Sequence, residues 1–103
     1  MPKNLLARIA VLSAMLSPAA LHAADVNSGR QLYNQHCAAC HGPAGVSTMP
    51  NAPHVARGGT LMQPDVMLVE SIRRGRNAMP AYAGVLKDQQ ILDVIAYMRT
   101  FRP

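Results

Sequence analysis

Cys37-Ala38-Ala39-Cys40-His41 is the stretch that decides how this chain of 103 residues is read. Two thiols separated by two residues, followed directly by an imidazole, is the spacing at which c-type haem is attached. The thiols add across the two vinyl groups as thioethers, and the adjacent histidine sits under the iron as its proximal ligand. Two other chemistries use C-x-x-C. A zinc half-site needs further cysteine or histidine ligands at matching spacing, and the chain has no third cysteine. A dithiol redox pair belongs within a βαβ pattern, and no segment reads as a strand of a parallel sheet. Haem attachment is the best supported of the three.

Upstream of the motif the order is basic, apolar, small. Lys3 and Arg8 precede the apolar run Ile9 to Leu16, and Ser17-Pro18 leads into Ala19-Ala20-Leu21-His22-Ala23-Ala24. That order is the pattern of a secretory signal peptide, with cleavage expected after Ala23. A membrane anchor is the alternative, but the run is shorter than the roughly 20 residues a spanning helix needs. The expected division is therefore residues 1–23 as leader and residues 24–103 as one domain of about 80 residues. A domain of that size is marginal for a self-supporting core, and small domains usually add a staple or a bound group. A buried haem would supply the missing apolar bulk.

The formal charge of +5 falls to +3 without Lys3 and Arg8. One Phe, three Tyr and no Trp offer no stacking platform for single-stranded nucleic acid, so the basic residues are read as solubility and partner steering.

Along the domain, helical periodicity occurs three times and strand alternation nowhere. The first helix is expected over about 27–39, with Asn27 or Ser28 as N-cap and Leu32, Tyr33 and His36 near one face. Residues 42–63 are dense in Pro and Gly, which indicates a loop wrapped over something. The second helix is expected over about 64–74, opened by Pro64 and Asp65, carrying Leu68, Val69 and Ile72, and stopped by Gly75. Residues 77–86 form another loop, holding Met79-Pro80. The last helix is expected over about 88–100, with Ile91, Leu92, Val94, Ile95 and Met98 on a wide apolar face.

With those elements in place, the chain resembles the bacterial class I cytochromes c over essentially all of residues 24–103. The resemblance is carried by Cys37 to His41, by Gly29 and Tyr33 ahead of the motif, by Pro53 twelve residues after His41, and by Met79-Pro80 followed by the Ile91–Arg99 helix. It implies an all-α fold of about three principal helices with loops around one covalently bound haem c. It implies attachment on the exported side of the membrane, hence a periplasmic protein. In that family the glycine permits a close crossing of the first and last helices, and the aromatic packs at the crossing. The proline carbonyl there accepts a hydrogen bond from the proximal imidazole, and a methionine supplies the second axial ligand. Carried over, Cys37 and Cys40 hold the porphyrin, His41 and Met79 ligate the iron, and Pro53 orients His41.

Iron held by histidine and thioether sulfur is coordinatively saturated, so its work is one-electron transfer, not catalysis. The expected protein is a monomeric electron carrier, not an enzyme. It docks transiently on a redox donor and acceptor, binds no nucleic acid and spans no membrane after leader removal. Other methionines must be weighed as ligands, since Met is usually a core gap-filler. Met67 and Met98 fall within helices and are expected to pack in the core, whereas Met49 and Met62 lie in the wrap and compete with Met79. His54 is a further possible ligand, although a surface-loop histidine is more often solvated. Arg73, Arg74 and Arg76 read either as charges complementing a helix C-terminus or as a docking patch for an acidic partner. Lys87 stands where relatives place a Ser or Thr cap for the last helix, which leaves that cap without its usual side chain. Two rival functions stay open. One is a gas-binding or weakly peroxidatic haem protein with an open iron. The other is a cytochrome subunit permanently docked to a respiratory oxidoreductase.

Overall fold

The computed structural model describes residues 23–102. The expected leader, residues 1–23, lies outside them except for Ala23. Among the described residues, four α-helices and one 3-10 turn make up the regular structure: α1 Val26–His36, α2 Ala38–His41, the turn Thr60–Met62, α3 Asp65–Arg74 and α4 Asp88–Met98. Among the described residues extended pairing is limited to two isolated bridges, Arg76 with Met79 and Ala83 with Leu86. The fold is all-α, as expected.

The first helix starts earlier than Asn27 or Ser28 would have it. Asp25 is the N-cap, its carboxylate accepting from the N–H groups of Asn27 at 2.9 Å and Ser28 at 3.2 Å. An aspartate in that place satisfies two otherwise unpaired donors of the first turn. The helix also ends sooner, at His36. Cys37 departs from helical geometry (φ −118°) and α2 restarts after it, so the motif residues occupy a separate turn instead of the end of one long helix.

Helices α1 and α4 cross at Gly29, which lies against the backbone of Asp93. Tyr33, Ile91, Val94 and Ile95 are fully buried around this crossing. Tyr33 meets the ring edges of Tyr97 and Phe101 with centroids 5.4 and 5.2 Å apart. Such edge contacts add ~0.5–1.5 kcal/mol beyond burial. Asp93, also buried, accepts from the Asp25 N–H at 2.8 Å and from Gln89 at 3.1 Å, so its carboxylate is paired.

The cap of α4 is closed from inside the helix. Gln90 reaches back so that its Oε1 accepts from the Lys87 N–H at 2.9 Å, which supplies half of a capping box without Ser or Thr. Helix α3 buries only Leu68, and Met67 points to solvent, contrary to its expected core role. The apolar face of α3 is short, and Met67 falls off it. Met98 is buried as expected. Loop residues Val55, Tyr82 and Leu86 complete the core.

Arg99, just after α4, clamps the middle of the chain. It donates to the carbonyls of Leu61 and Gln63 and pairs with Asp65 at 2.6 Å. Gly58 and Gly59, immediately before the clamped turn, have open space around them: no atom would lie within 4 Å of a β-carbon at either.

Candidate haem-binding site

Two loops fold back onto two helix ends, and the space between them is the site. A helix leaves its last carbonyls without intrahelical donors. At the end of α2 those carbonyls are answered by residues 47–49. Cys40 O accepts from the Thr48 and Met49 N–H groups at 3.2 and 3.3 Å and from Ser47 Oγ at 2.9 Å, while Ala39 O accepts from Thr48 Oγ1 at 3.1 Å. At the end of α3 the Tyr82 N–H donates to Ile72 O and the Ala83 N–H to Arg73 O, both at 3.1 Å. The chain in between makes a tight reversal in which Arg76 and Met79 exchange both backbone bonds, at 3.0 and 2.9 Å.

Gly75 permits that second arrangement. Its φ of +69° is left-handed, and a β-carbon there would stand 2.7 Å from Met79 O, Pro80 C and Ala81 N. The Met79 reversal is packed directly on the helix end. Each lining loop also turns through a left-handed asparagine, Asn51 at φ 69° and Asn77 at φ 54°, a conformation that Asn tolerates better than most residues.

The resulting cavity encloses about 470 Å³. All five of the residues singled out from the sequence line it: Cys37, Cys40 and His41 from the motif, Pro53 from the first loop and Met79 from the second. Its volume is within the range of cofactor pockets. His41 Nδ1 lies 3.0 Å from the Pro53 carbonyl. A carbonyl only accepts, so Nδ1 carries the hydrogen and Nε2 keeps its lone pair for a metal. Two thiols, a free imidazole nitrogen and a thioether sulfur around one apolar cavity fit the donor set that haem c requires.

The competing ligands separate. His54 and Met62 do not line the cavity, and Met62 is 84% exposed. Met49 does line it, beside Pro53. The arginine cluster disperses: Arg73 pairs with Asp88 and Arg74 faces Glu70 at 3.9 Å, whereas Arg76 lines the cavity. Exposed pairs of this kind contribute ~0–1 kcal/mol.

The sequence marks Tyr82 only as a polar donor beside Met79, and neither its contacts nor the bracing role of Ser47 behind the cavity was anticipated. Tyr82 lines the cavity, donates its phenol hydrogen to His36 O at 3.0 Å and meets the His36 ring edge at 5.6 Å, tying the Met79 loop to the end of α1. Its placement three residues after Met79 is a signal that could have been read. Burial raises the Tyr82 phenol pKa, with smaller contributions from Cys37 and Cys40. Burial also pushes the free Cys37 thiol up to about 11, helped by Cys40. Nothing in the local sequence marks Ser47.

Comparison with known proteins agrees with this geometry. Residues 24–98 match the family described as cytochrome c oxidase, cbb3-type, subunit III. Cytochrome c6 of Thermosynechococcus vestitus is 41% identical over 85 residues, covering 81% of this chain and 75% of that protein. Cytochrome c6 of a Nostoc species is 35% identical over 94 residues, covering 87% and 82%. The solved structure of cytochrome c6 from the diatom Phaeodactylum tricornutum superposes with a TM-score of 0.56 at 33% identity, covering 72% of this chain and 90% of that one. The KustC0563 c-type cytochrome superposes with a TM-score of 0.65 at 26% identity, covering 73% and 98%. The chain belongs to this family of small class I c-type cytochromes, whose members carry one covalently bound haem c and move electrons instead of catalysing a reaction.

Proposed function

We propose that this protein is a periplasmic electron shuttle whose iron is held between His41 and Met79. The observation that carries the reading is the His41–Pro53 hydrogen bond beside a cavity that Met79 also lines. The Pro53 carbonyl fixes the imidazole's orientation and raises its basicity, leaving Nε2 as the donor atom. Met49 belongs to the loop that carries Pro53, whereas Met79 stands on the other lining loop, so Met79 is the methionine that would hold the iron together with His41. Cys37 and Cys40 anchor the porphyrin through thioethers, which uses both thiols. When bound, the haem supplies a one-electron change at iron, and a methionine ligand favours its reduced state. Tyr82 and Pro53 help close the cavity against water. Arg76 is the cationic side chain among the residues lining the cavity, suited to steering an acidic partner into transient contact.

Export follows from the leader at residues 1–23, with 24–103 as the mature chain. Among the described residues no helix is long and apolar enough to cross a membrane. Mass spectrometry of the exported protein tests the cleavage point. Optical spectra of the haem-loaded protein, ferric and ferrous, with and without carbon monoxide, test the ligation. The expected result is a low-spin spectrum with the weak far-red sulfur-to-iron band, unchanged by carbon monoxide. A high-spin ferric form or ready carbon monoxide binding would mean an open iron and a ligand-binding role.

The match to an oxidase subunit family favours one second reading, a cytochrome stably docked to a larger oxidoreductase. Co-purification from native membranes at moderate salt separates the two: a shuttle washes off, a subunit stays.

A further inference from the structure

The loop that carries Pro53 is closed by a contact that neither a helix end nor the haem motif supplies. The Ser47 N–H donates to Nδ1 of His54 at 2.8 Å. The Ser47 hydroxyl lies 2.9 Å from both the Cys40 and the Met49 carbonyls. Ser47 is therefore held to the end of α2 by its side chain and to the residue after Pro53 by its backbone. Just behind, the Ala56 N–H donates to Gly45 O at 3.0 Å. Residues 47–54 make a closed ring, and the carbonyl that meets His41 is one residue from the closure.

An imidazole nitrogen accepts only when it carries no hydrogen, so this bond fixes His54 as the neutral form protonated at Nε2. Protonation of Nδ1 would set one N–H against another and break the ring. His54 is exposed, so water and protons reach it. Among the described residues no carboxylate pairs with it. Arg57 lies on the loop and its N–H donates to the His54 carbonyl. Arg99 and Arg102 flank Phe101, which packs near Gly45, and Arg99 is committed to Leu61, Gln63 and Asp65. From the helix side the titratable group that reaches the loop is His41, through Pro53.

We propose that Ser47 and His54 form a proton-sensitive latch that positions the Pro53 carbonyl on His41 and so makes the redox potential depend on pH. The proposal rests on His41 being the proximal ligand. Ser47 and His54 are positioning residues that act through Pro53. A firmly held acceptor strengthens the imidazole as a donor to iron and favours the oxidised state. Releasing the latch weakens that donation and raises the potential. The latch closes only on an unprotonated Nδ1, so the potential falls as pH rises.

The test is the midpoint potential from pH 5 to 8 for haem-loaded wild type, His54→Asn and His54→Ala, with Ser47 amide exchange followed by NMR. His54→Asn offers an acceptor oxygen near the place of Nδ1 that cannot titrate. His54→Ala opens the latch at every pH without adding charge. The expected result is that His54→Asn keeps the wild-type alkaline potential throughout, while His54→Ala keeps the wild-type acid potential throughout. Ser47 exchange is then fast in acidic wild type and always fast in His54→Ala. If His54→Ala instead keeps the alkaline value, charge alone acts and the latch is overturned. If wild type and His54→Asn share one pH profile, the latch is likewise overturned. Failure of His41 ligation shows separately, as His41 ring resonances without a haem ring-current shift in the NMR spectrum of the reduced unmutated protein, and overturns both readings.

Discussion

Gly29 lies so close to Asp93 that a β-carbon on it would stand 1.9 Å from the Asp93 carbonyl oxygen and 2.5 Å from the carbonyl carbon. Both obstructing atoms are backbone, so neither can swing aside. Gly29→Ala must separate α1 from α4 and loosen the packing of Tyr33, Ile91, Val94 and Ile95. A loss of ~1–3 kcal/mol is expected, the usual cost of overpacking. Denaturant unfolding of the haem-loaded protein measures it, and an unmoved midpoint would mean that the crossing has slack.

Tyr33 donates its phenol hydrogen to the Gly42 carbonyl at 2.7 Å from a fully buried position. Tyr33→Phe leaves that carbonyl with only the Gly45 N–H at 3.2 Å and should cost ~0.5–1.5 kcal/mol, the net worth of one hydrogen bond. Burial, with Cys37 and Tyr97 adding less, pushes the phenol up to about 12. Its unfolded value is near 10. The folded state thus holds a proton that the unfolded chain releases between those values. The stability it lends is complete below pH 10 and declines as pH rises towards 12. Unfolding free energies from pH 9 to 12 should fall more steeply for wild type than for Tyr33→Phe. Parallel curves would assign the alkaline loss to other groups.

Met49 and Met79 line the same cavity, yet their replacement should have opposite consequences. Met79→Ala should yield a high-spin ferric protein that binds carbon monoxide when reduced, with a lowered potential as the methionine ligand is lost. Met49→Ala should leave the spectrum low-spin and closed. The reverse outcome would make Met49 the ligand.

Removing the haem anchors tests how far the helices hold themselves. In Cys37→Ala/Cys40→Ala the crossing of α1 and α4 keeps its own buried side chains, whereas α3 buries only Leu68. Far-UV circular dichroism should show much less helix than the loaded protein, with the remainder in α1 and α4. Native helicity without haem would show that the core suffices alone.

The parts of this protein legible in its sequence are those set by local spacing. Pro64, Asp65 and Gly75 bound α3 nearly as expected, and Cys37 to His41 announces its own chemistry. The Pro53–His41 contact could be anticipated only through family resemblance, since Pro53 comes twelve positions after His41 along a loop. Asp25 was missed as a cap because Asn27 and Ser28 offered equally good local chemistry. The deciding factor is long-range, the Asp93 carboxylate that holds the Asp25 N–H. Met67 was misplaced because helical periodicity does not reveal how narrow a stripe the neighbours cover. Ser47 with His54, and Tyr82 with His36, escape notice for the same physical reason. Their partners are chosen by the path of the loops, and no periodicity encodes a path.

A β-carbon on Gly58 or Gly59 would meet nothing, while the chain around them is held, by the Arg57 N–H on His54 O before them and by the Met62 N–H on Gly59 O and Arg99 on Leu61 and Gln63 after them. Chain length at that point is unconstrained by the iron's surroundings. A tether to an electrode, a fluorescent reporter or a fused redox module inserted between those glycines adds only loop entropy, which grows slowly with length. The cytochrome thus comes with a place where it can be wired to something else without retuning the metal.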